Sequence, residues 1–334
     1  MMNSQQQVAA DGFVIVGEEI CQKIISRADA FGAVEAVFAA MARGDAYNFP
    51  VVREAIGHAD ALYGFKGGFD RSGLSLGLKA GGYWPGNMDK GLTNHQSTVF
   101  LFDPDTGRLS ALVGGNYLTA IRTAASSSVS IAHLARKDAK VLGMVGAGHQ
   151  STFQLRAAVE QRAFEKVVAW NPHPDMLPRL GAVAEELGLE FEAVTQQELG
   201  AQADVIITIT SAFEPLMMAD WVKPGTHIAC MGTDTKGKQE VDPALFTRAT
   251  VFADEIAQSI TIGEAQHAVG TGLIAEGDIT PIGAVINGTH AGRSSAEEIT
   301  LFDGTGVGLQ DLAVASVAAK LAREQGLVTP ITLG

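Results

Sequence analysis

The chain has 334 residues, 46% of them hydrophobic, which is too apolar for disorder and ample for a core. That length points to roughly two domains. Its 24 Lys and Arg face 37 Asp and Glu, a formal net charge of -13, which excludes nucleic acid or an anionic membrane as a partner held by bulk attraction. One small anionic ligand in a local basic pocket stays allowed. Two cysteines, Cys21 and Cys230, lie far apart, so neither a disulfide framework nor a Cys-rich metal site is expected. His227, His267 and His290 have no metal-ligand spacing, and no apolar run reaches the about 20 residues that span a bilayer. Residues 1–7 are polar and do not read as a signal peptide, so a cytoplasmic protein is expected.

In chain order, residues 15–43 place Ile20, Ile24, Phe31, Val34, Phe38 and Met41 at helical spacing and predict amphipathic helices. Residues 51–112 change texture. Short apolar or alternating runs at 74–78, 98–102 and 109–113 are separated by turn clusters at 84–87 and 103–107, which predicts an antiparallel sheet with a hairpin over 101–113. A second rhythm starts near Asp138: strand 141–145, a glycine turn, helix 151–163, strand 166–170, helix 175–187, then strands at 189–194, 204–210, 227–231, 250–253 and 299–302. Strands alternating with helices predict a doubly wound parallel sheet of Rossmann type. The last helix, 308–325, carries Leu309, Ala313, Val317 and Leu321 at i, i+4 spacing and is expected to pack on the N-terminal domain. The two chain ends, 1–125 with 308–334, would form one α+β domain, and 126–307 the α/β domain.

The glycine turn is the first candidate site. Strand 141–145 runs into Gly146-Ala147-Gly148 and then Ser151, followed by a helix. In this context Gly146 permits a tight turn, Gly148 lets a pyrophosphate approach, and the helix N-terminus favours the anion. The next strand ends Trp170-Asn171-Pro172, where an acid would mark NAD and an arginine NADP. Asn171 can bond a ribose hydroxyl and carries no charge, so the expected cofactor is NAD.

Further residues carry a resemblance. Arg53, Lys79, Pro85-Gly86-Asn87, Leu118-Thr119-Ala120-Ile121-Arg122-Thr123-Ala124-Ala125, Gly146-Ala147-Gly148-His149-Gln150, Gly232-Thr233-Asp234 with Lys238, and Phe302-Asp303-Gly304-Thr305-Gly306 together resemble the ornithine cyclodeaminase/mu-crystallin family, in the right order from about Gly12 to Gln325. The resemblance implies a dimerising, substrate-binding domain beside a dinucleotide domain, hydride chemistry on imines and amino acids, and a homodimer. It makes Asp234 the proton donor and, with Lys79, the catalytic set. Arg53, Lys79, Arg122 and Thr305 become substrate ligands, with Arg122 equally open to cofactor phosphates. Cofactor positions fall on Asn94, His95, Arg122, Thr123, Gly146, Gly148, His149, Gln150, Asn171, Thr210, Met231, Gly232, Lys238 and Gly304. His95 stays open between a structural role, the nicotinamide and a distal carboxylate.

The chemistry fits these residue types. Hydride adds readily to an iminium carbon, and an acid beside the nitrogen stabilises that cation and handles its proton. Three cations around one pocket would repel one another without an anion, which points to a small anionic imino or amino acid. A dicarboxylate satisfies more of them than a monocarboxylate, which fits the reaction that the resemblance implies, reduction of an α-imino acid, iminosuccinate, to L-aspartate. Ornithine cyclisation, alanine dehydrogenation, cyclic imine reduction and a non-catalytic mu-crystallin-like binding role are the alternatives. Lys238 and Glu240 are expected to form an ion pair near Asp234, and the family's Ser-Val-Gly turn is replaced by Gly304-Thr305-Gly306.

Overall fold

The computed structural model describes residues 12–332, so the polar stretch 1–7 lies outside the described residues. The chain divides into two compact units, Met1–Arg122 with Val307–Gly334, and Thr123–Gly306. It passes from the first to the second within the helix Gly115–Leu134. No helix among the described residues is long and apolar enough to cross a membrane.

The first unit is an eight-stranded sheet among the described residues, ordered Thr329–Ile331, Phe13–Val16, Leu109–Gly114, His95–Phe102, Ser75–Tyr83, Leu62–Asp70 and Ala46–Asn48, with Val52–Ala55 also on Leu62–Asp70. All its pairings are antiparallel except Phe13–Val16 on Leu109–Gly114. The helices Arg27–Ala42 and Gly308–Glu324 pack together, and the latter lies on the central strands. Ser26 starts the first of them: its hydroxyl accepts from Asp29 N at 3.1 Å, and Asp29 accepts from Ser26 N at 3.0 Å. The hairpin over 101–113 forms as expected, because Asp103 Oδ1 accepts from the Asp105 and Thr106 amides at 3.0 and 2.8 Å and folds the turn.

Three expectations are corrected here. Residues 13–16 are a strand, not part of a helix, since they are buried between two other strands. The nine-residue strand Leu62–Asp70 escapes the pattern because Gly64, Gly67 and Gly68 have low strand propensity. Its glycines serve close packing: a Cβ on Gly68 would lie 2.9 Å from the Leu309 side chain of the last helix. That helix does pack on this unit, but its buried line is Asp311, Leu312, Ala315, Ala318 and Ala322, while Ala313, Val317 and Leu321 are only half-buried.

The second unit is an eight-stranded parallel sheet among the described residues, ordered Glu190–Ala193, Lys166–Trp170, Val141–Val145, Val205–Thr208, His227–Cys230, Ile299–Asp303, Ala249–Ala253 and Ile279–Pro281. Strands 205–208, 227–230 and 299–303 are buried at every position, as expected of a sheet covered on both faces. The winding reverses between Val141–Val145 and Val205–Thr208, the place where α/β sheets bind ligands outside the strand carboxyl ends. The expected helix 151–163 stops at Ala158. Beyond it Arg162 turns inward and donates to the Ile131, Ala132 and Ala135 carbonyls at 2.7, 3.1 and 2.8 Å, capping the end of Gly115–Leu134. A small parallel pair, Phe213–Met217 with Gln239–Val241, was not expected.

Candidate active site

Four turns at the carboxyl ends of neighbouring strands in the second unit hold most of the expected cofactor residues. In the glycine turn, Gly146 has φ +111°, and a Cβ there would lie 2.6 Å from the Ile209 carbonyl oxygen, so only glycine fits. A Cβ on Gly148 would meet nothing within 4 Å, which leaves a cradle over that peptide. Ser151 is buried and its hydroxyl donates to the Gly148 carbonyl at 2.7 Å, fastening the turn to the helix Ser151–Ala158. Gln150 Oε1 is buried without a hydrogen-bond partner at that helix start. An open cradle beside a helix N-terminus is what a dinucleotide pyrophosphate requires.

Asn171 is turned onto the turn itself. Its Oδ1 accepts from the Ala147 amide at 2.9 Å and its Nδ2 donates to the His173 carbonyl at 2.8 Å. The side chain thus braces the loop, beyond the ribose contact expected of it. Arg179 also reaches the turn, donating from Nη2 to the Gly148 carbonyl at 3.0 Å. It was missed because it sits eight residues beyond Asn171, one turn into the following helix. His149 stacks near Phe153, centroids 5.4 Å apart, and burial with the Arg179 charge pulls its pKa down.

The floor of the other turns is tied by buried acids. Glu240 accepts from Thr208 Oγ1 at 2.6 Å, Thr210 N at 2.6 Å, Thr210 Oγ1 at 2.8 Å and Gly232 N at 2.9 Å. One carboxylate therefore joins the ends of two strands. The expected Lys238–Glu240 ion pair does not form, because Glu240 is spent on those four donors. Lys238 instead bonds Asp234: Nζ is 2.8 Å from Oδ1 and 3.3 Å from the Gly232 carbonyl, and Thr235 Oγ1 adds a donor to Oδ1 at 3.1 Å. Asp234 is thus held on its turn with its side chain partly exposed.

Glu264 accepts from the Glu240 and Val241 amides, both at 2.8 Å, and bonds Thr233. Burial, with Glu240 nearby, pushes it up to about 8. Thr305, expected to meet substrate, is buried with its hydroxyl donated to Asp254 at 2.8 Å, and Asp254 also accepts from Gly306 N at 2.8 Å. Gly304 lies against Met231, where a Cβ would be 2.6 Å from Sδ. Glu240, Glu264 and Asp254 look like ordinary surface acids in the sequence, and only their burial reveals what they hold.

In the first unit, Lys79 and Arg122 converge on Asp311. Lys79 Nζ is 3.0 Å from Oδ1 and 2.9 Å from Oδ2, and Arg122 Nε is 3.1 Å from Oδ1. Arg122 Nη1 also donates to Gln310 Oε1 at 2.9 Å. The expectation that the cations are unbalanced without substrate is corrected: Asp311 is a built-in counter-ion. Its signal was an acid in the first turn, just before the apolar run Leu312–Val314. Burial pulls Lys79 down to about 8, against the opposing pull of Asp311.

Arg53 lies on an exposed strand, paired with Gly64. Asn94 closes the loop 84–94, its Oδ1 accepting from Met88 N and its Nδ2 donating to the Tyr83 hydroxyl, both at 3.2 Å. His95 is paired with Tyr83 across the sheet. Thr123 follows Arg122 in the helix and is buried.

Fold and turn geometry define a dinucleotide-binding α/β protein with an added cation-bearing domain. The sequence profile of the ornithine cyclodeaminase/mu-crystallin family matches residues 13–326, and the chain belongs to that family. It is 63% identical over 320 residues to the iminosuccinate reductase of Paracoccus denitrificans, covering 96% of this chain and 100% of that one. The structure of that reductase in complex with NAD+ superposes with a TM-score of 0.94 over the same share of both chains. An archaeal alanine dehydrogenase, solved as a dimer with bound NAD, is 32% identical, with a TM-score of 0.91 over 97% of this chain and 100% of that one.

Proposed function

We propose that this chain is an NAD-dependent imine reductase that converts iminosuccinate to L-aspartate. The observation that carries this reading is the buried Lys79–Asp311–Arg122 network, a site for carboxylate in a strongly acidic protein. The full-length similarity to an enzyme of that activity supports the choice of substrate.

Gly146, Gly148, Gln150 and the start of the helix Ser151–Ala158 would hold the pyrophosphate of NAD, which when bound as NADH supplies a hydride to the imine carbon. Every other demand falls on side chains. Arg53 and Lys79 hold carboxylate, Lys79 as a point charge and Arg53 as a planar fork. Arg122, with Nε and Nη1 committed to Asp311 and Gln310, fixes the network. Asp234 would stabilise the cationic form of the imine and deliver the proton that leaves the product as an amine. One hydride and one proton enter per imine, so the electrons and atoms balance.

The subunit pairs with a second copy through the outer face of the first unit's sheet. Pairing register puts Tyr47, Tyr63, Phe65 and Phe69 on the face opposite Lys79, and Tyr47, Tyr63 and Phe65 are 49%, 43% and 44% exposed. Such an aromatic patch calls for cover.

A substrate panel tests the function. NADH oxidation is followed with oxaloacetate plus ammonia and with pyruvate plus ammonia, and proline release with ornithine. The reading expects the first to be fastest; proline release from ornithine at a higher rate would replace it.

A further inference from the structure

The loop that carries Asp234, residues 232–238, is tied at both ends to one short segment, residues 264–267. At its start the Thr233 hydroxyl bonds Glu264 Oε2, while Glu264 Oε1 accepts from the Glu240 and Val241 amides, both at 2.8 Å, where the chain leaves the loop. At its end Gln266 Oε1 accepts from Gly237 N at 2.8 Å, and His267 Nε2 donates to the Lys238 carbonyl at 2.8 Å. Lys238 is the residue whose ammonium bonds Asp234. The same segment reaches the neighbouring turn, since Ala265 N donates to Asp303 Oδ2 at 3.1 Å just before Gly304. Thr233 and Glu264 are 0% and 1% exposed, whereas the Asp234 side chain is 36% exposed. Consecutive residues of the loop therefore point opposite ways, Thr233 into the protein and Asp234 out of it. Taking a carboxylate into the interior is costly, and a loop that only had to close would do so with apolar side chains. What the buried acid adds is a fixed position, because hydrogen bonds weaken steeply away from one geometry.

We propose that Glu264, with Gln266, is a positioning residue for the reduction: through the Thr233 hydroxyl and the Gly237 amide they hold the loop so that Asp234 is presented at one depth and one angle, and they set turnover without touching substrate or cofactor. The assignment rests on the reading of Asp234 as the proton donor of an imine reductase. A general acid contributes about 10²–10⁴ in rate. A displacement of about 1 Å in such a group can remove about 10² of that. The contribution of Glu264 and Gln266 therefore falls on kcat. Carboxylate and pyrophosphate are assigned to other residues, so KM and NADH affinity are not theirs to set.

The test uses Thr233→Val, which removes the hydroxyl at nearly the same shape, Thr233→Ser, which keeps it, and Gln266→Met, which releases the other end of the loop. Each is made alone and together with Asp234→Ala, and checked for thermal unfolding and for NADH affinity by fluorescence. With oxaloacetate plus ammonia, Thr233→Val should lower kcat at least about tenfold while KM and NADH affinity stay within about twofold, and Thr233→Ser should restore most of the rate. Where Asp234 is already alanine, neither Thr233→Val nor Gln266→Met should lower kcat further, because residues that act through one group are not additive. Should Thr233→Val fail to fold, Gln266→Met, at a half-buried position, carries the same comparison. An unchanged kcat, a loss carried by KM or NADH affinity alone, or an equal loss in the Asp234→Ala protein overturns the assignment while leaving the reductase reading standing. An Asp234→Ala protein as fast as its parent overturns the proton-donor reading and takes the assignment with it.

Discussion

Asp311 and Lys79 meet inside the first unit: both carboxylate oxygens lie within 3.0 Å of Nζ, and the two side chains are 0% and 10% exposed. The last helix of the chain thereby supplies the anion that keeps a buried lysine beside a buried arginine. Removing it leaves two unpaired cations in the interior. Loss of one partner of a buried pair costs about 3–5 kcal/mol, so Asp311→Ala should lower Tm by about 10 °C in a unit of this size. Differential scanning calorimetry checks this; a change of under about 2 °C would show that the network adds nothing to the fold.

Lys79, pulled down to about 8 by burial, should lose its proton within the accessible pH range. Below that value it is charged and attracts carboxylate; above it the amine is neutral. Binding of succinate, which has no group titrating above neutrality, to the enzyme–NADH complex should weaken about tenfold between pH 7 and pH 9. Lys79→Arg stays charged throughout, so its binding should be flat over that range. Equal pH dependence in both proteins would assign the effect elsewhere.

Glu264 is pushed up to about 8 and Asp303 to about 7, both mainly by burial. A folded state that holds a proton the unfolded chain releases loses stability as pH rises. For Glu264 that loss runs from its ordinary value of 4.5 to about 8, and it is complete above that. Glu264→Gln keeps an acceptor oxygen for the Glu240 and Val241 amides without the titration. Its Tm should therefore decline less steeply from pH 5 to pH 8 than that of the unaltered protein. Parallel curves would contradict the buried, protonated acid.

The two glycines of the turn should fail differently. Gly146→Ala sets a side chain at φ +111° and 2.6 Å from the Ile209 oxygen, so it should lower Tm. Gly148→Val fills only the open cradle; Tm should hold to within about 1 °C while NADH affinity falls about tenfold or more, as expected where backbone meets pyrophosphate. Fluorescence titration with calorimetry separates the two. Equal effects of both substitutions on affinity and on Tm would remove the distinction.

What the sequence discloses and what it hides divides along physical lines. The strands Val141–Val145, Val205–Thr208, His227–Cys230 and Ile299–Asp303 are legible because strands buried on both faces are continuous apolar runs, whereas the three-residue edge strand Ile279–Pro281 is too short to show a pattern. The turn Gly146–Gly148 is legible because its backbone demands glycine. The strand Leu62–Asp70 is hidden because the close approach of the last helix requires glycines that weaken the strand pattern. Lys79, Arg122 and Asp234 are singled out by motif, whereas Asp311, Glu240 and Arg179 are charged residues whose contacts depend on burial and on the fold. A linear pattern carries neither. The apolar stripe of the last helix misled for a related reason, since its buried line includes Asp311 and small alanines in place of Val317 and Leu321.

The most direct test of the account follows deuterium from NADH labelled at both C4 positions, with oxaloacetate and ammonium, into product. The account predicts L-aspartate deuterated at Cα in step with NAD+ formed, and a rate at least about 10² lower in Asp234→Ala with NADH binding retained. Deuterated malate in place of aspartate, or an Asp234→Ala protein as fast as its parent, would contradict it.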